Sequence, residues 1–371
     1  MKKLLILPLL FFFASHLSAQ VRGFCGTTEN LDPMIERLLN NKRTVELLGP
    51  NFGNRNVVSF VPIRFHLVAN ASGSGRIAEK KVYELLCKLN EEYADQNIQF
   101  YIKDSFTQPN NDVLYNTPKL YTNFGILKDS KAINIFICNT AGDGNNSEGV
   151  TLGYYSPFGD YLVIKKSEVN STSTTTPHEV GHFFSLAHPF NGWDCAYYNE
   201  ADYGQQITFT NAPCPTSTGN VLVELVNGSN CNNSGDYVCD TPADYGMGFG
   251  WSTCDYNGPC MDINGDLVRP EEQNHMSYFL NCSEYFFSPE QKSLIWADYQ
   301  SPQRNNLRSN ALSGFSTITD APTITFPENN AVLNYYNSVS LSWNPVAGAD
   351  RYYLEIALDQ AFSATFYTGV V

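Results

Sequence analysis

The sequence predicts an α+β chain. An α/β-type upper subdomain, a twisted sheet over one histidine-bearing helix, precedes a loop-rich, disulfide-bonded lower subdomain and a partial all-β sandwich at the C-terminus. Three observations predict this. Strand and helix periodicities alternate from Val57 to His182. Seven of the ten cysteines (Cys195, Cys214, Cys231, Cys239, Cys254, Cys260, Cys282) follow the histidines, in a stretch rich in Gly, Asn and Asp. From Ile318 the texture changes to short alternating runs.

Residues 1–19 join Lys2 and Lys3 to an apolar run from Leu4 to Ala14 and a small-residue end at Ser18 and Ala19. That is the signature of a secretory signal peptide, so the chain is expected to be secreted. No other stretch reaches the eighteen apolar residues of a membrane span. The net charge of −14 argues against nucleic acid or an anionic membrane as partner and also suits a solubilising surface. Ten cysteines in an exported chain suggest disulfides, two or three of them in the lower subdomain. Cys87, in a helical pattern, and Cys138, in a strand pattern, read as small buried apolar residues.

Residues 20–55 read as a prosegment. Asp32 and Pro33 open an amphipathic helix through Met34, Ile35, Leu38, Leu39 and Leu47. Before it, Cys25 is either a thiolate that could ligate a metal and keep an enzyme latent, or an ordinary disulfide partner. A catalytic domain is expected over 56–301. Its elements are a strand over 57–68 with His66 as a structural residue, a helix over 77–93 buried through Val82, Leu85, Leu86 and Leu89, and strands at 98–102, 133–137 and 161–164. Residues 142–149 read as a polar loop.

The next stretch, 174–188, reads T-T-T-P-H-E-V-G-H-F-F-S-L-A-H. On a helix, expected to be capped by Thr176, His178 and His182 at i and i+4 point the same way and reach one metal. His188 shares that ion only if the chain turns sharply after about Ser185. Three imidazoles on zinc leave a fourth position open, as in a catalytic site. Glu179, beside the first ligand, is placed as general base, while zinc polarises a carbonyl and lowers the pKa of water. This chemistry is expected to act on protein or peptide substrates.

Downstream, the loop at 235–242 offers Asp236, Asp240 and Thr241 as oxygen donors for calcium, although the same residues are common turn chemistry. Met276 reads as a core methionine, or, by its resemblance to the methionine turn of the metzincin metalloproteases, as a floor under the zinc ligands. Tyr278 reads as an oxyanion donor or a packed phenol. Ser288 and Gln291 form a capping box opening the last helix of the domain. Residues 302–317 read as a linker, and 318–371 as about half of a β-sandwich module, expected to be cut short.

H-E-x-x-H-x-x-x-x-x-H with a downstream methionine segment resembles the metzincin metalloproteases, except that Ser185 stands where that family usually has glycine. The segments in order resemble the pappalysin family in its bacterial secreted branch: Cys25 to Thr27, Phe65 and His66, Leu89 and Asn90, 176–188, Asp240 to Pro242, Asn274 to Tyr278, and Phe286 to Gln291. The C-terminal Leu341 to Trp343 and Ala349 to Leu354 resemble a fibronectin type III or immunoglobulin-like module. The family resemblance implies a zinc endopeptidase made as a zymogen. It makes Cys25 a cysteine switch, Asp236 to Thr241 a calcium site and Tyr278 a transition-state contact. Relatives that cut before Arg or Lys have an aspartate where Asn281 stands beside Cys282, so strict Arg specificity is not expected. The competing reading is a secreted adhesin or matrix protein with a vestigial zinc site; the retained base Glu179 speaks against it.

Overall fold

The computed structural model describes residues 23–27, 31–49, 57–144, 150–216, 219–251, 253–309 and most of 318–371. The expected signal peptide and most of the expected linker lie outside the described residues, as does most of the loop at 142–149.

A six-stranded sheet organises the chain, in the order β1-β5-β6-β4-β2-β3. The strands are β1 (Gly23–Cys25), β2 (Ser59–Leu67), β3 (Ile98–Ile102), β4 (Ile133–Cys138), β5 (Val150–Ser156) and β6 (Tyr161–Lys165). Strands β3, β2, β4 and β6 run parallel, and β5 runs antiparallel to β6. Every residue of β4 is buried, as expected of a central parallel strand covered on both faces. Strand β5 was not foreseen, because its run Val150 to Ser156 lacks clean alternation and follows a polar loop. On its outer edge β1 is added in parallel, pairing Gly23 with Val150 and Phe24 with Thr151.

Helices α1 (Asp32–Leu48), α2 (Glu79–Glu92), α4 (Thr175–Phe183) and α7 (Pro289–Gln300) are joined by the short α3 (Asp112–Asn116), α5 (Glu200–Tyr203), α6 (Met247–Gly250) and α8 (Asn305–Arg308). One core takes Val82, Leu85 and Leu89 from α2, Val180 and Phe183 from α4, Leu294 and Ile295 from α7, and the sheet residues Phe65 and Ile135. Met34 and Leu38 of α1 belong to this core, so the prosegment helix is packed into the domain. A second core around Phe190, Trp193, Tyr245 and Phe279 fills the loop-rich region, stapled by Cys195–Cys214, Cys231–Cys239 and Cys254–Cys282.

Several expectations need correction. Cys138 is buried, but Cys87 is exposed, because it falls on the solvent side of the Val82, Leu85 and Leu89 stripe. Thr176 is not a cap. Helix α4 starts one residue earlier, its first turn held by Ser173 Oγ accepting from Thr175 N at 3.2 Å, and Thr176 is buried inside it. Residues 302–308 are helical, with Arg304 and Leu307 buried against the domain, where a linker was expected to begin. Where a partial sandwich was expected, the described C-terminal residues form two strand pairs, β7 (Ile324–Phe326) with β8 (Ser342–Trp343) and β9 (Tyr353–Ala357) with β10 (Thr365–Val370). The pair β9 and β10 meets α2 through Glu355 on Lys80 at 2.7 Å and Tyr353 on Tyr83.

Candidate active site

Helix α4 is short, and its end decides the site. Ser185 adopts φ 71°, the left-handed conformation glycine would take freely, while Ser185 N donates to His182 O and Leu186 N donates to Gly181 O. This closes the helix and redirects the chain, bringing His188 back toward the other two imidazoles. Ser185 has a further contact: its buried Oγ accepts from Asn41 Nδ2 of α1 at 2.9 Å.

The three Nε2 atoms converge, 3.1 Å between His178 and His182, 3.0 Å between His182 and His188, and 3.2 Å between His178 and His188. Each Nδ1 is committed elsewhere, donating to His275 O at 2.7 Å, Leu186 O at 2.7 Å and Asp194 Oδ1 at 2.6 Å, respectively. With the ring hydrogens on Nδ1, the Nε2 atoms present lone pairs to one another and cannot hydrogen-bond among themselves. Burial first, then the neighbouring imidazoles, pushes His178 down to about 3 and His182 well below the ordinary histidine value. Tetrahedral zinc with bonds of about 2.0–2.1 Å would set its nitrogen ligands about 3.3 Å apart, so these three fit that ion.

Cys25 completes the group: its Sγ lies 3.5 Å from His182 Nε2, within ligating distance of the same point as the imidazoles. Burial, then the Glu179 carboxylate, pushes its thiol well above the ordinary value. A cation among the histidines reverses that balance, since a coordinating thiol loses its proton. Glu179 is fully buried, and burial raises it to about 7. Its Oε2 accepts from Thr27 Oγ1 at 2.9 Å, Thr27 Oγ1 in turn accepts from Tyr155 N at 2.6 Å, and Oε1 has no partner. Gly153 makes room for this carboxylate, since a Cβ there would stand 3.1 Å from Glu179 Cγ.

Met276 lies directly under α4. A Cβ on Gly181 would come within 2.4 Å of its Sδ, so a side chain at this position of the motif would displace the methionine beneath it. The turn is held by Asn274, whose Oδ1 accepts from Met276 N and whose side chain pairs with Gln291 of the capping box. Tyr278 Oη accepts from Cys25 N at 3.1 Å and donates to Cys25 O at 3.2 Å, with its ring against His188 and His178. His275, whose carbonyl orients His178, is tied to α2 through Nε2 on Glu92 at 2.9 Å.

The oxygen donors of the 235–242 loop do not all converge. Asp236 is buried and accepts from Thr241 Oγ1, whereas Asp240 turns to the start of α7, accepting from Ser288 Oγ and Glu290 N. Burial and then the Asp236 charge push up the carboxyl of Glu224, which is buried with Oε2 unpartnered. Asn281 is exposed, at φ 61°, and is not among the residues lining the pocket beside Glu179. Sequence reasoning missed Thr27, Asp194 and Glu224, because single polar residues carry no periodicity; Asp194, six residues past His188, was the most findable.

No family profile matches the chain. It is similar to an extracellular metalloprotease of Colletotrichum graminicola, 24% identical over 306 residues, covering 76% of this chain and 92% of the relative. An extracellular metalloprotease of Neurospora crassa is 24% identical over 258 residues, covering 65% of this chain and 75% of the relative. Its relatives are extracellular metalloproteases. Among solved structures, a promirolysin mutant from Tannerella forsythia overlays at TM-score 0.48 and 17% identity, covering 77% of this chain and 97% of that one. Mature mirolysin from the same organism, in complex with a cleaved peptide, overlays at 0.44 and 18%, covering 68% and 96%. Among the described residues no helix is long and apolar enough to cross a membrane.

Proposed function

We propose that the chain is a secreted zinc endopeptidase of the pappalysin-like metzincins, held latent by its own prosegment. The observation that carries this is the convergence of His178, His182 and His188 with Cys25 in one buried group, beside a carboxylate that the prosegment also occupies. His178, His182 and His188 would hold the ion, and zinc there supplies a Lewis acid for a peptide carbonyl and a lower pKa for water. Glu179, raised toward neutrality by burial, takes the proton of the attacking water and hands it to the leaving amine. Tyr278, freed from Cys25, donates to the developing oxyanion. Met276 supports the histidines from below.

Latency rests on three contacts of one short segment: Cys25 on the histidines, Thr27 on the base, and the Cys25 backbone on the Tyr278 hydroxyl. The metal group and the base are engaged together, so the segment blocks more than the metal. In the full chain, Cys25→Ala should release partial proteolysis without processing, since Thr27 still engages the base and the backbone at position 25 still engages Tyr278, and adding Glu179→Gln should abolish it while metal analysis still finds zinc. A Cys25→Ala protein as inactive as the parent would remove the switch; an active double variant would remove the base.

We also propose calcium beside the loop at 235–242, held by Asp236 and Glu224, with Asp240 serving α7 instead. The support is chemical: two buried carboxylates repel each other, one has an unpartnered oxygen, and hard oxygen donors suit that ion.

A further inference from the structure

A pocket opens directly beside Glu179, with a cavity volume of about 70 Å³. Its walls are Leu152 of β5, Thr174 and Thr175 at the start of α4, and Phe279, Leu280 and Tyr285 beyond the methionine turn, with His178, Glu179 and Cys25 of the prosegment at its inner end. Its position relative to the chemistry assigns its occupant. Glu179 delivers a proton to the leaving amine, so the residue that contributes that amine lies against Glu179 and its side chain enters this pocket.

Several polar groups of the walls are already engaged inside the protein. Ser277 Oγ donates to Asp244 Oδ2 at 3.0 Å, Tyr285 Oη donates to Phe279 O at 3.0 Å, and His275 Nε2 is held by Glu92 at 2.9 Å. His275 Nδ1 is buried without a partner, one nitrogen and not a carboxylate. Apart from Glu179 itself, no lining residue carries a negative charge. Asn281 and Glu284 are exposed and outside the lining. A guanidinium or ammonium entering here would lose its hydration without gaining a counter-charge, whereas an apolar or aromatic side chain meets apolar walls.

We infer that this pocket makes the enzyme select an uncharged apolar or aromatic residue immediately C-terminal to the cleaved bond, an inference that rests on the endopeptidase reading above. The site therefore takes protein segments at exposed Leu, Met, Phe or Tyr positions and passes over basic ones.

The test is digestion of an unbiased peptide library by the full-chain Cys25→Ala protein, with and without a zinc chelator, read by mass spectrometry. Chelator-sensitive cuts should carry apolar or aromatic residues after the bond at least about 10-fold more often than Arg or Lys, the scale on which one pocket discriminates. Leu280, 46% exposed at the pocket, is a tolerant position for a second variant. Leu280→Asp should shift the Arg-to-Leu ratio upward by about 10-fold by supplying the missing counter-charge. Enrichment of Arg, Lys, Asp or Glu in the parent, or no selection there at all, overturns the pocket assignment while leaving the peptidase intact. A library left uncut by both the Cys25→Ala and the Cys25→Ala/Thr27→Ala proteins overturns the endopeptidase reading, and this inference with it.

Discussion

Replacing Asp194 tests how the third histidine is held. His188 arrives after a turn, with no helix to orient it, and its Nδ1 donates to Asp194 Oδ1 at 2.6 Å, while Oδ2 accepts from Gly192 N at 3.1 Å. His178 and His182 donate to neutral carbonyls at 2.7 Å, so the molecule itself contains the neutral version of the same contact. Charge-assisted bonds are roughly twice as strong as neutral ones, and loss of an outer partner weakens metal binding about 10–100-fold, equivalent to about 1.4–2.7 kcal/mol. Asp194→Asn keeps an acceptor and removes the charge, so it should fall near the lower figure. Asp194→Ala removes both and should approach the upper. The side chain is only 10% exposed, so salt should screen little of the effect. The assay is zinc competition against a chromophoric chelator, on the Cys25→Ala background so that the thiol does not mask the change, with thermal melts of the zinc-free proteins alongside. Unchanged affinity for Asp194→Ala, with unchanged melting, would refute the reasoning.

Ser185→Gly should leave full-chain stability within about 1 kcal/mol of the parent, because relief of the left-handed backbone, about 1–2 kcal/mol, is offset by the hydrogen bond from Asn41 and by added unfolded-state freedom, about 1 kcal/mol each at most. A double-mutant cycle with Asn41→Ala in denaturant should give a coupling of about 0.5–1.5 kcal/mol, and zero coupling would detach Ser185 from the prosegment helix. The buried pair Glu224 and Asp236 predicts a pH dependence. Burial raises both carboxyls in the folded state, with the Asp236 charge adding to Glu224 and the Glu290 charge adding to Asp236, so the stability they contribute is full below the ordinary carboxylate range, near pH 4, and is lost as pH rises through their raised folded values. With a calcium-selective chelator present, Glu224→Gln should therefore melt higher than the parent by a margin that widens from pH 5 to pH 8. Added calcium should raise the parent at pH 8 and do little at pH 5; a calcium effect equal at both pH values would count against the site.

Where a signal was periodic or spaced, it was legible. The stripe Val82, Leu85 and Leu89 faces the core, Ser288 and Gln291 do form the capping box, and the chain turns at Ser185 with a positive φ. Where a role depends on one side chain meeting another far away in the chain, spacing was silent or misleading. Asp240 looked like a partner of Asp236 and serves α7, while Glu224, from outside the loop, is the carboxyl that feels the Asp236 charge. Asn281 looked like a pocket residue and stands exposed, with Leu280 on the wall.

By itself the sequence determined that His178 and His182 point the same way on one helix with Glu179 beside them, because 3.6 residues per turn dictates which side chains point together. The rest was decided by the tertiary structure. It brings Cys25 to His182 across 157 residues and Tyr278 to Cys25 across 253, lays α1 into the core, and closes the pocket with Leu152 on one side and Leu280 on the other. Such contacts follow from how the sheet, the buried helices and the disulfide-stapled loops pack together, and packing leaves no periodic trace in the chain that folds into it.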